Sequence, residues 1–362
     1  MWWDQGWCFG RAGPGLGTIA SSLALAWLRW MENCTCGTTA NLLRPWIGSP
    51  SLKVPLGGVP LSGAGLAVSE DGVEWKKVVG PLEGGAVLLP SDNPNAWDGL
   101  LAAVGDVRVK AEGGFEMLYF GSDDTEKLVR GEPKRGFNLS IGRAESNDGV
   151  HWEKSPAPLL RAGAKGDFDQ ISVGWPVWFP DHNSTTESRM LYHTASTTAF
   201  YVGSAKRAPR PPWWMMRQRR QWRQGGGWVK EGQVQLLGSG GQTSFGTRDV
   251  IADPTGRHRY LLIAEHFTSS VPSELHFFTS DDGYNWTALH RGPILKKSDD
   301  RKAWDGIAVG CPSLVVKDGR YLLYYVGFGE RGGSEHEIPC RIGCAASDGL
   351  DYETCTFSRV ER

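Results

Sequence analysis

The chain lacks a net charge of either sign. Its 39 Lys and Arg residues balance 40 Asp and Glu residues, which leaves a formal charge of -1 over 362 residues. A balanced charge provides no overall attraction to nucleic acid or to an anionic membrane surface. We therefore expect no nucleic-acid partner.

The chain also lacks a long apolar run. The longest, residues 17–29, is shorter than the roughly 20 residues that cross a bilayer, and no basic stretch precedes it as in a secretory signal peptide. We expect a soluble monomer without stable membrane insertion. An N-terminal targeting segment stays open as an alternative, and the sequence does not define the compartment.

Cysteine is too sparse for a disulfide framework. The chain has 7 cysteines, and neither close pair, Cys34 with Cys36 or Cys340 with Cys344, has a second pair at zinc-finger spacing. These residues are interpreted as mostly free thiols, and we expect no cofactor. A structural calcium ion in the axial channel of the fold predicted below stays open.

Glycine and tryptophan, in contrast, are abundant, with 48 and 17 residues. Turn formers together with aromatics favour many short strands joined by tight loops. A seven-residue pattern, S-x-D-G-x-x-W, occurs at 69–75, 146–152 and 280–286. Asp-Gly forms a tight turn between strands and the Trp fills space between sheets, so this pattern is interpreted as structural.

The spacing of this pattern counts repeats. Its copies start 77 and 134 residues apart, and 134 is twice 67, so a degenerate copy is expected near Ser204 with Trp228. A further 67 residues lead to a decayed copy at Ser347. Five units of this size, each long enough for four strands, are typical of a β-propeller.

A second pattern runs out of phase with the first. An aromatic-Asp pair precedes two strands in WDGLLAAVGDV at 97–107, FDQISVGWPVW at 168–178 and WDGIAVGCPSL at 304–314, with TRDV at 247–250 as a shorter relative. Period-2 alternation, as in residues 320–326, indicates half-buried antiparallel strands. The sequence therefore predicts an all-β, five-bladed β-propeller with four-stranded antiparallel blades around a central axis.

The first repeat is incomplete. Residues 47–52 match 309–314 closely, but Leu42 and Leu43 stand where a Trp-Asp pair is expected. We predict an N-terminal extension over 1–43 and the propeller over 44–362.

An insertion interrupts the fourth repeat at 207–227. It is rich in Arg, Trp and Met and ends in a glycine run. Such a composition can contact nucleic acid or a membrane interface, but an exposed insertion is the favoured interpretation.

Four aspartates fall just before the predicted innermost strands: Asp98, Asp169, Asp249 and Asp305. Around one axis they would share a pocket, where like charges push pKa values apart and leave one group as acid and another as base or nucleophile. Two carboxylates flanking a sugar linkage are the minimum for glycoside hydrolysis. The alternative is that each Asp caps its own strand.

These patterns, with G-x-P-S at the start of the inner strand, resemble the five-bladed β-propeller superfamily of arabinanases, levansucrases, invertases and related glycoside hydrolases of families 43, 32 and 130. The resemblance implies hydrolysis or transfer of an oligosaccharide, a polysaccharide or a glycosylated small molecule. It implies Glu265 as general acid and Asp98 or Asp169 as nucleophile or base. Arg248 with Asp249 is similar to the pair that binds sugar hydroxyls in the invertase group.

Five further residues are candidates for contact with the sugar: Asp305, Trp97, Trp175, Trp304 and His193. Flat aromatic side chains can stack on sugar faces, but packing between blades is the other common role of Trp. His193 has the equivalent alternative of a plain histidine at the end of a strand.

The chain departs from the superfamily in three respects. It has no WMNDPNG nucleophile motif near its start, no Glu-Cys acid motif and no Asp in its first repeat. A non-catalytic propeller that binds a glycan or a protein is therefore the second hypothesis. A sialidase-like propeller is a remote third, because Asp-boxes space their Asp, Gly and Trp differently from S-x-D-G-x-x-W.

Overall fold

The structure of the protein is a computed structural model. It describes residues 7–10, 23–26, 63–110, 112–129, 132–179, 189–195, 200–207, 227–237, 244–267, 273–289, 292–330 and 340–360. Nearly all of the predicted insertion and the start of the first repeat lie outside these ranges.

The first sheet pairs its strands in chain order. They are β1 Trp7–Gly10, β2 Leu23–Ala26, β3 Leu66–Val68 and β4 Lys76–Val78. β1 and β2 belong to the predicted N-terminal extension, which thus contributes two strands to this sheet. A 3-10 turn follows at Glu83–Gly85. In the described part of the chain, no helix is long and apolar enough to cross a membrane.

The second and third sheets have four strands each. The second has β5 Leu101–Val109, β6 Phe115–Ser122, β9 Leu139–Ser146 and β10 Glu153–Lys154. A separate hairpin, β7 Lys127–Val129 with β8 Glu132–Lys134, interrupts it in sequence. The third has β11 Ser172–Trp178, β12 Arg189–Ala195, β13 Phe200–Arg207 and β14 Trp228–Gln233.

The fourth and fifth sheets follow the same plan. The fourth has β16 Ser244–Ala252, β17 Tyr260–Phe267, β18 Glu274–Ser280 and β19 Asn285–Ala288, and β15 Gln235–Leu237 adds to β19 in parallel. The fifth has β20 Ala308–Lys317, β21 Arg320–Phe328, β22 Cys340–Ser347 and β23 Phe357–Arg359. β5, β11, β16 and β20 each form one edge of their sheet, and we call them the inner strands.

Apolar cores join consecutive sheets. Each core combines the face of one sheet with the opposing face of the next, as sheets with one buried row per face require. Representative buried members are Leu66 with Met117, Phe120 with Tyr192, Val177 with Leu262, and Ile263 with Leu314.

The fifth sheet also contacts the first. The Tyr324 hydroxyl donates to the carbonyl of Gly72 at 2.6 Å, and its ring packs edge-on against Trp75 at 5.7 Å. Lys317 Nζ donates to the carbonyl of Glu70 at 2.9 Å. The chain thus has an all-β, propeller-like arrangement of four-stranded antiparallel sheets.

The S-x-D-G-x-x-W segments are tight turns between outer strands. In the copy at 146–152, the Gly149 N–H donates to Ser146 Oγ, and the N–H groups of Val150 and His151 donate to Asp148 Oδ1, each at 2.8 Å. Gly149 has φ of 77°, a conformation that favours glycine. The indole N–H of Trp152 donates to the Gly149 carbonyl at 2.8 Å. The structural interpretation of this pattern is confirmed.

The degenerate copy of the turn pattern in the third sheet agrees with the prediction for its tryptophan and differs from it for its serine. Lys230 pairs with Ala205 in the register in which Lys154 pairs with Ala144, so Trp228 corresponds to Trp152. Ser204 does not correspond to the turn serine, because it lies buried inside β13.

Each of the four inner strands carries a bulge. The pairing shifts between Val104 and Asp106 in β5, Gly174 and Val177 in β11, Phe245 and Arg248 in β16, and Gly310 and Ser313 in β20. A bulge inserts extra residues opposite the partner strand and redirects nearby groups. In two sheets it holds a non-glycine residue at positive φ, Trp175 at 46° and Cys311 at 49°.

Candidate functional site

The register aligns the second strands of four sheets. Just past each bulge, Asp106 pairs with Leu118, Val177 with Leu191, Asp249 with Ile263, and Ser313 with Tyr324. Two residues further along the second strand stand, in the same order, Phe120, His193, Glu265 and Val326. We call these four the axial row. Its two polar members, His193 and Glu265, belong to neighbouring sheets.

Glu265 bridges the fourth and fifth sheets. Its Oε2 accepts the N–H of Thr247 at 2.9 Å, and its Oε1 accepts the N–H of Cys311 at 2.7 Å. Both donors lie in bulges, one on β16 and one on β20. The bulges therefore direct two backbone N–H groups at one carboxylate.

Two glycines make room for this carboxylate. A Cβ on Gly246 would overlap Glu265 Oε2, and a Cβ on Gly310 would overlap Oε1. At the joint between the second and third sheets, a Cβ on Gly174 would instead meet Phe120 and Leu139 at 3.4 Å. Gly246 and Gly310 thus leave the space that the Glu265 carboxylate occupies, whereas Gly174 does not face such a group.

Arg248 links the inner strands of the third and fourth sheets. The residue is 4% exposed, and its Nη2 donates to the Trp175 carbonyl at 3.0 Å and its Nη1 to the Gly246 carbonyl at 3.4 Å. Burial lowers the pKa of Arg248 to about 9, against the opposite effect of the nearby Glu265. Arg248 is therefore still a cation at neutral pH.

His193 reaches the same glycine from β12. Its ring hydrogen-bonds to the backbone of Gly246 and packs edge-on against Trp175 with centroids 5.4 Å apart. Burial, and then the charge of Arg248, lower the pKa of His193 to about 3. The imidazole is neutral at physiological pH. We call Gly246, Arg248, His193 and Glu265 the Gly246 cluster.

Two opposing effects set the protonation of Glu265. Loss of hydration is the larger and raises the pKa of Glu265, while the N–H groups of Thr247 and Cys311 and the charge of Arg248 lower it. The balance leaves the pKa above its ordinary value. A carboxyl of this kind can hold a proton toward neutral pH and deliver it to a leaving-group oxygen.

Three of the predicted carboxylates occupy a different place. Asp98 accepts the Tyr119 hydroxyl at 3.1 Å and Lys154 Nζ at 2.6 Å, both from its own sheet. The same arrangement recurs with Tyr192 and Lys230 on Asp169, and with Tyr325 and Arg359 on Asp305. We call each set an Asp-Tyr-cation cluster. In the described contacts the three clusters remain in separate sheets, as expected if each Asp supports its own strand.

Asp249 does not belong to this series. Its Oδ1 accepts the N–H of Val250 and its Oδ2 the N–H of Leu314 on the next inner strand, both at 2.8 Å. Asp106 makes the same two bonds, to Val107 at 2.8 Å and to Trp178 at 2.9 Å. The grouping of TRDV with the aromatic-Asp pairs was therefore wrong, because Asp249 lies after a bulge and the other three aspartates lie before their strands.

The predicted tryptophans are partly buried and pack against neighbouring residues. Trp97 lies over Gly142 and 5.3 Å from the ring of Tyr119, and Trp304 lies over Gly343 and stacks on Tyr325 at 5.5 Å. Trp175 packs on Phe120 at 4.6 Å. These contacts are those of packing within and between sheets, and sugar contact by the three residues stays a prediction.

The fourth sheet has lost its Asp-Tyr-cation cluster as a unit. The register places Ala264 where the other sheets have Tyr, and Ala288 where they have Lys154, Lys230 or Arg359. The Asp stands five residues before Ala103, Gly174 and Gly310, and the matching residue before Gly246 is Gly241, outside the described ranges. Loss of one member alone would leave the others buried without partners, which explains the joint replacement.

Two histidines take part of this space, and the sequence patterns did not single them out as a pair. His276 stands where the second, third and fifth sheets have Gly142, Gly203 and Gly343, and its ring lies 4.9 Å from that of His266. Burial, and then Lys296, lower the pKa of His276 to about 4. The signal that could have identified the pair is a histidine at a strand position where the three other sheets have glycine. Among the described residues, no three His, Cys, Asp or Glu side chains are grouped to hold a metal ion.

The propeller-like all-β fold of the chain is similar to the fold of solved glycoside hydrolases. No family model matches the sequence, and no curated protein matches it. A glycosyl hydrolase from Bacteroides ovatus is 16% identical with a TM-score of 0.51, over 76% of this chain and 78% of that one.

Two other solved structures are similar in fold to the chain at comparably low sequence identity. Zg3597, a family 117 glycoside hydrolase of the marine bacterium Zobellia galactanivorans, is 12% identical with a TM-score of 0.50, over 75% and 72% of the two chains. BT0996, in a complex with RGII, is 14% identical with a TM-score of 0.52, over 76% and 77%. At such identities the likeness concerns the fold alone.

Proposed function

We propose that the protein is carbohydrate-active, a glycoside hydrolase or transglycosidase that binds a glycan at the Gly246 cluster. One observation carries the proposal: Glu265, the carboxylate of the axial row, lies between two sheets with a raised pKa. It combines the proton that a leaving group needs with a position next to the inner strands. The glycoside hydrolases of similar fold agree with this class.

In this proposal Glu265 is the general acid. Protonation of a glycosidic oxygen by a carboxylic acid with a raised pKa is the common first requirement of retaining and inverting hydrolysis. Arg248 stays cationic and holds the carbonyls of Trp175 and Gly246, which we propose as the wall of the binding site next to the acid. His193, neutral at physiological pH, supports the same wall through Gly246.

The second carboxylate is proposed to be Asp98 or Asp169, acting as nucleophile or base. Each holds a tyrosine hydroxyl and a lysine, so a ligand would have to compete with both partners. Asp305, Trp97, Trp175 and Trp304 are also proposed to contact the glycan. Asp249 is proposed in another role below.

We further propose five blades and membership of the arabinanase, levansucrase and invertase superfamily. Five sheets of four or more strands and the bond from Tyr324 to Gly72 between the last and the first sheet support a closed ring of five. The first repeat, with its Leu42 and Leu43, is one of the three respects in which the chain departs from that superfamily.

Glycan binding without catalysis is the second candidate function. The observation that favours it is that Asp98, Asp169 and Asp305 all have both a hydroxyl and a cation as partners, which leaves Glu265 without a second carboxylate beside it in the described contacts. A lone acid is insufficient for the two-carboxylate mechanisms.

Turnover by matched glutamine variants tests the proposal. The purified chain is assayed on aryl glycosides and oligosaccharides, together with Glu265→Gln and Glu231→Gln. Glu231 is a suitable control because it is equally a glutamate with little exposure, held by Arg189 on an outer strand. We expect Glu265→Gln to lower kcat by about 100-fold or more, as loss of a general acid does, while Glu231→Gln keeps kcat.

Three outcomes separate the hypotheses. Loss of turnover only in Glu265→Gln supports the enzyme. Calorimetric binding of a glycan without any product in the wild type selects the non-catalytic candidate. Turnover that survives Glu265→Gln, or the absence of both binding and turnover across the panel, contradicts the proposal.

A further inference from the structure

Asp249 uses both carboxylate oxygens on backbone N–H groups. One belongs to Val250 on its own strand and the other to Leu314 on β20, each at 2.8 Å. The residue is 7% exposed. Asp249 therefore connects the backbones of two inner strands.

The segment that Asp249 holds is the one that serves Glu265. Cys311, whose N–H reaches Glu265, stands three residues before Leu314 on the same strand. Between them lie a proline and the end of the bulge, and Cys311 has φ of 49°. Residues 311–314 are therefore attached to the fourth sheet at both ends, each time by a carboxylate.

Asp106 provides an internal comparison. It ties the second sheet to Trp178 on the third in the same way, next to a bulge with Trp175 at φ of 46°. The member of the axial row at that joint is Phe120, which has no group to position. The contacts of Asp106 with Trp178 and of Asp249 with Leu314 therefore have the same backbone geometry. They differ in the neighbouring member of the axial row, which is Phe120 in one case and Glu265 in the other.

We propose that Asp249 is a positioning residue, which holds the Cys311 N–H against the Glu265 carboxylate by fixing β20 to β16. The role of Glu265 as proton donor rests on the proposed function. The effect of Asp249 on the position of the Cys311 N–H does not rest on it. Asp249 acts through the backbone and does not touch the ligand.

Among the described residues, three charged or titratable groups surround Glu265. Arg248 faces it from β16, the thiol of Cys311 stands on β20, and His193 reaches the shared Gly246 from β12. Asp249→Asn leaves all three in place. The amide keeps the size of the side chain and one acceptor oxygen, so one of the two backbone bonds is lost.

The sign of the effect separates positioning from charge. Removing the negative charge of Asp249 would by itself make the Glu265 carboxylate easier to form and lower its pKa. Moving the Cys311 N–H away removes a donor from the carboxylate and raises the pKa, by up to about 1 for one bond to a charged group. A rise can therefore come only from loss of positioning.

The experiment is a carbon NMR titration of the glutamate carboxyl groups in the full chain. Glu265→Gln assigns the Glu265 signal, and the pKa is compared in the wild type, Asp249→Asn and Asp106→Asn. We expect a higher Glu265 pKa in Asp249→Asn and no change in Asp106→Asn, with a similar fall in Tm for both variants. If the chain is active, the alkaline limb of its pH profile, where the general acid loses its proton, moves with the same sign only in Asp249→Asn.

Two results would overturn the inference. An unchanged or lower Glu265 pKa in Asp249→Asn shows that the tie does not position the donor. Equal shifts in both variants show a general loss of structure. Should Asp249→Asn fail to fold, Asp249→Glu, which keeps both oxygens on a longer side chain, is titrated by the same criteria. Absence of turnover in the wild type would count against the proposed function alone, because the titration needs no substrate.

Discussion

The carboxylate of Glu265 accepts the N–H of Cys311 across the joint between two sheets at 2.7 Å. This bond joins residues 46 positions apart in sequence and depends on two bulges and two glycines. It provides the physical basis for a carboxyl group that is partly desolvated and yet fixed in direction. The contact between the fourth and fifth sheets therefore also directs a backbone N–H group at a carboxylate of the axial row.

Gly310→Ala should displace the Glu265 carboxylate. The new Cβ would overlap Oε1, which two backbone N–H groups hold in place through the same carboxylate, so we expect a loss of about 1 to 3 kcal/mol in unfolding free energy, as for an overpacked core. Gly174→Ala is the matched control, with its Cβ 3.4 Å from Phe120 and Leu139. Urea unfolding of both variants checks the prediction, and equal losses would contradict it.

Lys230→Met should destabilise the third sheet. It leaves Asp169, which is 1% exposed, with a tyrosine hydroxyl but no cation, and we expect a cost of about 3 kcal/mol. Lys206→Met, at an exposed lysine 3.4 Å from Glu231, should cost no more than about 0.5 kcal/mol. A loss below about 1 kcal/mol for Lys230→Met would mean that the cluster is not structural, and would leave Asp169 available for chemistry.

Glu265 should make stability fall as pH rises. Its pKa is raised in the folded state by loss of hydration, so its contribution is complete below the unfolded pKa and is lost as pH rises through the folded pKa. The difference in unfolding free energy between the wild type and Glu265→Gln should decrease from pH 4 upward, in a titration by urea unfolding over about 4 to 8. An increase over this range would show that the N–H groups outweigh the loss of hydration.

The turn at 69–75 should respond to pH in the opposite sense. The backbone N–H of Val73, and then that of Glu74, lower the pKa of Asp71 to about 2. A lowered pKa gives stability that is present above the unfolded value and is lost as pH falls through the folded one. The Tm difference between the wild type and Asp71→Asn should therefore shrink from about pH 4 to 2. A Tm difference that stays constant over this range would contradict the prediction.

Much of the architecture could be predicted from the sequence because its turns are local. The Asp-Gly turn, its serine and its tryptophan all lie within seven residues, and spacing between copies gave the repeat even where, as at Trp228, only the aromatic residue remained. Ser204 was misassigned because the turn serine itself is absent there. A repeat length is a poorer guide than the register of paired strands.

The site was harder to predict because its key groups are backbone. The N–H groups of Thr247 and Cys311 carry no sequence signature, and Asp249 looks like Asp98 when only the letters are compared. The position five residues before Ala103, Gly174, Gly246 and Gly310 is an aspartate in three cases and Gly241 in the fourth. An alignment on these positions would have separated Asp249 from the three clustered aspartates. Glu265 could be proposed from the sequence because it ends a clear strand, as the superfamily resemblance implies, and its role stays a prediction.

The most direct test of the account is a crystal structure of Glu265→Gln with an oligosaccharide selected from the binding panel. The account predicts a sugar oxygen within hydrogen-bond distance of residue 265, with the ligand against the wall formed by Arg248 and His193. A glycan bound elsewhere on the protein, with the Gly246 cluster untouched, would contradict it.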